Sequence, residues 1–338
     1  MKIGVGAGLW ALLAAAPAIG QGVGKPIIDM HMHAYELSEF GPEPPKACAG
    51  ADGMTINGYD PATPFTFEAL GTCKTMLAAP ATDAALLAET IATMKRHNIV
   101  AGVLSGDRPI VAKWRAAAPE RFLPAAHFFT DENPPPAAYA ADLEKAARSG
   151  ELKLFAEITA QYRGLEPDHP SLEPFYAIAE RLDVPVGIHM GYGTPGGPYW
   201  IYPKYRAALG NPLLLEDLLV RHPKMRVYIM HAAMPMVDEL LMVLNAHPQV
   251  YVDISADNWG VPRAEFHAIL KRIVAAGYGR RIMFGSDQMM WPKAIDMAVS
   301  SITEADFLTA EQKRDILYNN AARFLRLSEA EIAAHHGH

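Results

Sequence analysis

The chain has 338 residues, of which 50% are hydrophobic and 20% are charged, an ordinary composition for a globular protein. Its formal net charge is −7 and its pI is near 6.0. The sequence contains no block of basic residues, so the composition argues against a protein that binds nucleic acid. The length suits either two domains or one large α/β barrel.

The first twenty residues have the pattern of an export signal. Lys2 is followed by the apolar stretch IGVGAGLWALLAAAPAIG, in which Ala18 and Gly20 fit a cleavage site before Gln21. This predicts a signal peptide over residues 1–20 and an exported protein, periplasmic or secreted. The alternative is a membrane anchor, although the run is only marginally long enough to span a bilayer. No other stretch is long enough to cross a membrane, so we expect a soluble mature protein without a membrane partner.

From residue 26 onward, short apolar segments rich in β-branched residues alternate with amphipathic helical patterns. The eight predicted strands are 26–33, 99–106, 122–129, 152–159, 184–191, 225–232, 250–256 and 281–288. Near-continuous apolar strands separated by helices indicate a parallel sheet that is covered on both faces. Eight such units predict a (β/α)8 TIM barrel, with residues 21–338 forming a single α/β domain. We expect the helical tail at 308–327 to pack outside this barrel.

Two predicted connections are unusually long, residues 34–80 after the first strand and 192–211 after the fifth. Both follow the carboxyl end of a strand, where barrel active sites are built, so we interpret them as binding loops. The first loop contains the only two cysteines, Cys48 and Cys73. In an exported protein such a pair predicts a disulfide, and two unrelated buried thiols are the alternative.

Residue types that bind metals stand at the ends of five predicted strands. In IIDMHMH, alternation places His31 and His33 on one face, which we expect to be inside the barrel, with Met30 and Met32 facing the helices. The remaining four are Glu157, His189, His231 and Asp287. Burying four imidazoles and two carboxylates together without a cation is costly. The pattern therefore predicts a site for a divalent metal, with ligand types that suit zinc and also manganese, iron or nickel.

The ordered set HxH, Glu, His, His, Asp, together with DMHMH, GSD and the terminal NNAARFL, resembles the amidohydrolase superfamily. The resemblance is to its amidohydrolase-related branch, amidohydrolase family 2, and covers about residues 26–327. It implies an enzyme that uses a metal-activated water to cleave an amide, ester, lactone or related bond. The metal is expected to be zinc, as one or two ions, with two favoured.

The resemblance also implies roles for the individual residues. His31, His33 and Asp287 resemble ligands of the more buried metal, and Asp287 the catalytic acid/base as well. His189 and His231 resemble ligands of a second metal. In one-metal members the residue matching His189 binds the single ion, and the one matching His231 polarises water or substrate.

Glu157 matches the position at which a glutamate or a carboxylated lysine bridges two metals. Lys153 is a rival for this role because alternation puts it on the same face of the strand, four residues deeper. A supporting or substrate-contacting role for Glu157 is the other alternative. His127 and Asp253 are candidates for orienting the ligands from behind.

Aromatic residues are concentrated in the loops that follow the later strands. Tyr192, Trp200 and Arg206 lie in GYGTPGGPYWIYPKYR, and Trp259 and Trp291 follow the seventh and eighth strands. Aromatic walls with a few polar groups are typical of ligand pockets. They predict a small aromatic or apolar substrate, with Arg206 available for an anionic group. The alternative is that these aromatics only hold the long loop together.

Two other functions stay open from the sequence. One is a non-oxidative decarboxylase of aromatic acids, which uses a single metal in the same barrel. The other is a non-catalytic exported protein that binds a metal or a ligand. Neither the substrate nor the oligomeric state follows from the sequence, and a homo-oligomer remains open.

Overall fold

The computed structural model describes residues 24–49, 55–56, 58–63, 71–126 and 137–337. The predicted signal peptide, 1–20, and His127 lie outside the described residues. Within them, no helix is both long enough and apolar enough to cross a membrane.

Eight parallel strands form one sheet in the order in which they occur along the chain. They are β1 (Ile27–Ala34), β2 (Ile99–Gly106), β3 (Phe122–Ala126), β4 (Leu154–Ile158), β5 (Val186–His189), β6 (Val227–Met230), β7 (Val250–Asp253) and β8 (Ile282–Met283). Each lies within, or within one residue of, a segment predicted from the sequence. The last strand returns to the first, where Met30 N donates to Phe284 O at 2.9 Å and Asp287 N donates to His31 O at 2.7 Å. The predicted TIM barrel is confirmed.

Helices connect the strands and cover the sheet. The α-helices are α1 (Asp83–Arg96), α2 (Arg108–Ala117), α3 (Ala137–Ser149), α4 (Glu173–Leu182), α5 (Glu216–Arg221), α6 (Val237–Ala246), α7 (Asp257–Gly260), α8 (Arg263–Ile273), α9 (Lys293–Thr303), α10 (Ala310–Arg314), α11 (Asn320–Leu325) and α12 (Glu329–His335). Single turns of 3-10 or π helix occur at Ala160–Arg163, Gly197–Tyr199, Ala207–Gly210, Pro212–Leu215, His231–Ala233, Val274–Tyr278, Gly279–Arg281 and Asp315–Asn319. The apolar faces of the long helices pack on the outer face of the sheet, as in other barrels.

The prediction that both methionines of β1 face the helices is wrong for Met30. Met32 lies against Met94 of α1 in the helix-facing core, whereas Met30 belongs to a separate cluster formed by strand residues and the tail. The ladder pairs Asp29 with Gly102 but Met32 with Leu104, so β1 contains one extra residue. Such a bulge breaks the alternation and lets Met30 and His31 both point into the barrel.

The sequence predicted that the tail packs outside the barrel, and this is wrong for part of it. Side chains from residues 318–327 join the interior cluster, and the Phe324 ring lies 5.5 Å from Tyr228 and 5.0 Å from Tyr251. Arg314 donates to the carbonyl of Pro26, just before β1. The tail therefore closes the amino-terminal end of the barrel with apolar side chains.

The long connection between β1 and α1 contains two short antiparallel ribbons. Ala47–Cys48 pairs with Met76–Leu77, and Thr55–Ile56 pairs with Gly71–Thr72. The predicted disulfide is present and joins Cys48, in the first ribbon, to Cys73, which directly follows Gly71–Thr72 of the second. Trp291, which follows β8, donates from Nε1 to Pro45 O at 3.0 Å and so ties the connection to the carboxyl end of the barrel.

Candidate metal centre

All six predicted ligands meet at the carboxyl end of the barrel, and each is less than a tenth exposed. In one half of this cluster, His31 Nε2 lies 3.1 Å from His33 Nε2. Asp287 Oδ1 lies 3.0 Å from His33 Nε2 and 3.7 Å from His31 Nε2. Two ring nitrogens and a carboxylate oxygen thus converge on one small volume.

The other half of the cluster comes from β5 and the end of β6. His231 Nε2 lies 3.1 Å from His189 Nδ1. His189 Nδ1 also contacts Glu157 Oε1 directly, and His231 Nε2 lies 3.4 Å from the same oxygen. These three donors form a second group, all within 4.8 Å of one another.

Glu157 lies between the two halves. Its Oε2 atom is 3.6 Å from His31 Nε2 and 3.5 Å from His33 Nε2, while its Oε1 atom faces His189 and His231. One carboxylate oxygen is therefore turned toward each pair of histidines. Its predicted rival, Lys153, precedes β4, is exposed, and interacts electrostatically with Glu331 of the tail.

The inner histidines are oriented by hydroxyl groups behind them. His31 Nδ1 lies 2.7 Å from Ser255 Oγ, which donates to Asp253 Oδ1 at 2.6 Å. His33 Nδ1 lies 3.0 Å from Ser105 Oγ. With Nδ1 occupied in this way, each ring directs Nε2 into the cluster, as expected for a supported metal ligand. Asp253 was a predicted supporting residue, but Ser105 and Ser255 were not.

Backbone carbonyls fix the other two rings. His189 Nε2 lies 2.9 Å from Tyr192 O, and His231 Nδ1 lies 3.2 Å from Ser255 O. A carbonyl oxygen can only accept a hydrogen bond, so those nitrogens carry the protons. His189 Nδ1 and His231 Nε2 are the nitrogens that face Glu157 Oε1, and each would bind a metal through its lone pair once the cation displaces any proton there.

The electrostatics of the cluster favour ionised carboxylates. Burial opposes ionisation of Asp287, but the nearby His31 and His33 outweigh it and lower the pKa of Asp287 to about 2. The pKa of Glu157 is likewise held well below its usual value, since His189, His231 and His31 outweigh its burial. Burial, followed by the proximity of His231, lowers the pKa of His189. Ionised carboxylates beside imidazole nitrogens are a donor set that fits a divalent cation, which would take the place of the imidazole protons.

Two predicted ligands sit on strained backbone. His231 has φ 58° and Asp287 has φ 49°, values that residues other than glycine rarely adopt. Ala232 and Ala233 continue the positive φ values, at 47° and 49°. Strain of this kind persists where the surrounding structure fixes it and is concentrated at functional sites.

Tyrosines border the cluster on the side of the long loops. The Tyr35 ring stacks on His33 at 4.7 Å between centroids, and the Tyr162 ring meets the edge of His189 at 4.9 Å. Tyr202 lies 4.5 Å from Tyr162. Tyr35 and Tyr162 were not predicted as site residues, whereas Tyr202 belongs to the aromatic loop GYGTPGGPYWIYPKYR that was predicted to line a pocket. Tyr35 has a visible sequence signal, since it lies two residues after His33 just beyond β1.

The five predicted substrate residues differ in how far their side chains are exposed to solvent. Tyr192 is about half exposed, and its carbonyl supports His189. Trp200 lies at the surface, donating to Pro195 O, and Arg206 is exposed with its guanidinium on the carbonyls of its own loop.

The two other tryptophans are buried and meet each other with centroids 6.1 Å apart. Trp259 Nε1 donates to Ser286 O at 2.7 Å, and Trp291 donates to Pro45 O. These contacts hold the loops around the cluster in place. The substrate roles of all five residues stay predictions.

Solved structures similar to this chain include enzymes of several activities. A probable 2-pyrone-4,6-dicarboxylic acid hydrolase from Acinetobacter baumannii is 15% identical with a TM-score of 0.56, over 89% of this chain and 99% of that one. A 5-carboxyvanillate decarboxylase from Novosphingobium aromaticivorans, complexed with manganese, is 16% identical with a TM-score of 0.51, over 70% and 79%. A 4-oxalomesaconate hydratase from Rhodopseudomonas palustris is 16% identical with a TM-score of 0.51, over 74% and 84%. At these identities the likeness establishes the fold alone.

No curated protein matches the sequence. The sequence model of the family described as amidohydrolase matches residues 28–327, which is most of the chain and includes all six predicted ligands. The resemblance seen in the sequence is thereby confirmed. The chain belongs to the amidohydrolase family.

Proposed function

We propose that this protein is a metal-dependent hydrolase of small molecules that holds two divalent ions in its cluster. The observation that carries the proposal is the position of Glu157, with one oxygen turned toward His31 and His33 and the other toward His189 and His231. A carboxylate in that position can bridge two cations. His31, His33 and Asp287 then hold the inner ion, and His189 and His231 hold the outer one.

A divalent cation bound here supplies a nucleophile at neutral pH by lowering the pKa of water from 15.7 to about 7, and polarises the bond to be cleaved. The chain's own residues move the proton. Asp287 is ionised, because its pKa is about 2, and it lies at the centre of the inner half. It accepts a proton from the attacking water and delivers it to the leaving group, acting first as base and then as acid.

The donor set supports zinc as the native metal, since imidazole nitrogen and carboxylate oxygen are usual zinc ligands. The same donors also suit manganese, which the related decarboxylase contains. The aromatic border of the cluster supports a small aromatic or apolar substrate.

We also propose that the protein is exported. The Cys48–Cys73 disulfide supports this, because such bonds persist in oxidising compartments such as the periplasm. The apolar stretch at the start of the sequence supports it independently.

A second candidate function is non-oxidative decarboxylation of an aromatic acid with a single metal. The compactness of the cluster supports it, because one atom each of His31, His231 and Asp287 also lie within 4.8 Å of one another and can hold one ion between the halves. The presence of decarboxylases among the similar folds points the same way.

The experiment that tests the proposal compares metal-stripped protein with protein restored by zinc or by manganese. Both are assayed on lactones, amides, esters, phosphoesters and aromatic acids, with acid production and release of carbon dioxide followed separately. Metal-dependent hydrolysis supports the proposal. Release of carbon dioxide without hydrolysis contradicts it in favour of the second candidate, and no turnover by either form contradicts both.

A further inference from the structure

One buried carboxylate beside the cluster has no role in the proposed mechanism. Asp257 is the first residue of α7, four residues after Asp253, and is only 7% exposed. Its Oδ2 atom is buried without a hydrogen-bond partner in the described part of the chain. A buried polar atom left unpaired costs free energy, so its retention calls for a reason.

The backbone that carries Asp257 is strained. Ala256 has φ 56° and ψ −59°, and Asp257 N donates to Ser255 O at 2.6 Å across it. This is a γ-turn with its central residue at positive φ, a rare and strained form. The turn directly follows Ser255, whose hydroxyl orients His31, so the same short segment positions a predicted ligand and Asp257.

The two residues after Asp257 are hydrogen-bonded to the segment that follows β8 and carries Asp287. Asn258 Nδ2 donates to Gly285 O at 2.8 Å, and Trp259 Nε1 donates to Ser286 O at 2.7 Å. Burial raises the pKa of Asp257 to about 7, while His231 lowers it and Asp287 raises it further. The carboxyl group therefore lies within electrostatic range of both halves of the cluster.

Asp257 also faces the loop that follows β5. After burial, its charge is the largest influence that raises the pKa of Tyr192. Tyr192 is about half exposed and its carbonyl supports His189. Asp257 thus acts electrostatically on residues at the ends of β6 and β8 and on the loop after β5, the segments that carry His231, Asp287 and Tyr192.

No structural partner accounts for this carboxylate within the part of the chain that the structure describes. The charged groups that act on it are His231, Asp287 and Asp253, two of them carboxylates like itself.

We propose that Asp257 determines specificity by binding a hydrogen-bond donor of the substrate, a hydroxyl or a primary ammonium group, while the substrate's reacting group lies at the cluster. This inference rests on the proposed function, since it needs a substrate bound at the metal centre. It narrows the substrate class to small aromatic molecules that carry such a donor. A donor group on the ligand forms a hydrogen bond to the buried Oδ2 atom of Asp257, which removes the free-energy cost of a buried acceptor without a partner.

The test uses metal-loaded protein and hydroxamates, which chelate divalent ions. Benzohydroxamate is compared with 3-(aminomethyl)- and 4-(aminomethyl)benzohydroxamate by calorimetric titration of the wild type, Asp257→Leu, Asp257→Asn and Glu265→Gln. Glu265 is the matched control because it is exposed and its charge also acts on Tyr192. Metal content and melting temperature are measured for every variant, and Asp257→Asn serves if Asp257→Leu does not fold.

In the wild type, one of the two ammonium probes is expected to bind about 10-fold or more tighter than benzohydroxamate, as for a hydrogen bond to a charged group. Substitution of Asp257 abolishes that advantage, while benzohydroxamate affinity and metal content are retained. The Glu265→Gln variant keeps the advantage.

The inference is overturned if neither ammonium probe binds the wild type more tightly than benzohydroxamate does. It is also overturned if the tighter binding persists in the Asp257 variants. Either result leaves the proposed metal centre intact. Absence of bound metal, or of any hydroxamate binding, overturns the proposed function and the inference with it.

Discussion

The two ends of the barrel are built by the same eight strands but are filled in opposite ways. At the carboxyl end, imidazoles and carboxylates are buried within 4 Å of one another. At the amino end, the rings of Tyr228, Tyr251 and Phe324 pack together and the tail closes the opening. The amino end is stabilised by apolar packing, whereas at the carboxyl end the buried carboxylates are compensated by histidines, a role that the proposed cations would take over. Changes at the carboxyl end should therefore alter function first, and changes at the amino end should alter stability alone.

The largest expected effect comes from replacing the acid/base. Asp287→Asn should lower kcat/KM by about 10²–10⁴-fold, because it removes a positioned proton acceptor. The melting temperature of the metal-free protein should also fall, because the ionised carboxylate, with its pKa lowered to about 2 beside His31 and His33, stabilises the fold at neutral pH. Steady-state kinetics on whichever substrate the assay panel identifies, with a thermal melt of the metal-free variant, checks both statements. Unchanged kcat/KM would remove Asp287 from the mechanism.

Substitutions at the amino end of the barrel should change the free energy of unfolding but not metal binding. Phe324→Ala should lower the free energy of unfolding by about 3–5 kcal/mol, as for other large-to-small substitutions of buried aromatics. Urea denaturation of metal-free protein measures this value, with Val220→Ala as a control at a position that is 70% exposed. The folded variant should bind as much metal as the wild type. A loss of metal from the folded variant would mean that the two ends are not independent.

Metal binding should stabilise the carboxyl end only while its donors are present. Metal at about 1,000 times its dissociation constant stabilises a folded protein by about 4.1 kcal/mol, so a chelator should lower the melting temperature of the wild type markedly. In His31→Ala the chelator should lower the melting temperature less, because the inner ion loses a donor while Glu157, His189 and His231 remain for the outer ion. Differential scanning calorimetry with and without chelator measures the difference. Equal shifts in the two proteins would argue against His31 as a ligand.

The smallest expected effect concerns the support behind His31. Ser255→Ala should weaken metal binding by about 10–100-fold, since the ring loses the hydroxyl that orients it. Ser301→Ala is the matched control, because Ser301 is also buried but donates only to Ala298 O within α9. Competition with a fluorescent zinc chelator gives the affinities. Equal affinities in the two variants would show that Ser255 does not position the ligand.

The sequence predicted the barrel and the convergence of six polar residues from the ends of five strands, because parallel strands bring their carboxyl ends to one edge. It could not predict the direction of Met30, since the extra residue in β1 is defined only by pairing with β2. The hydroxyls of Ser105 and Ser255 come from β2 and from the turn after β7, and only the closed barrel brings them to the histidines. Asp257 was missed because its position depends on the strained turn at Ala256, and the residue types in this segment do not predict such a turn.

The central claim is that Glu157 bridges two ions. Its most direct test is elemental analysis of protein purified without chelator, comparing the wild type with Glu157→Ala. The account predicts two divalent ions per wild-type chain and at most one in the variant, because the variant lacks the carboxylate shared by the two halves. No bound metal in the wild type, or the same metal content in both proteins, would contradict it.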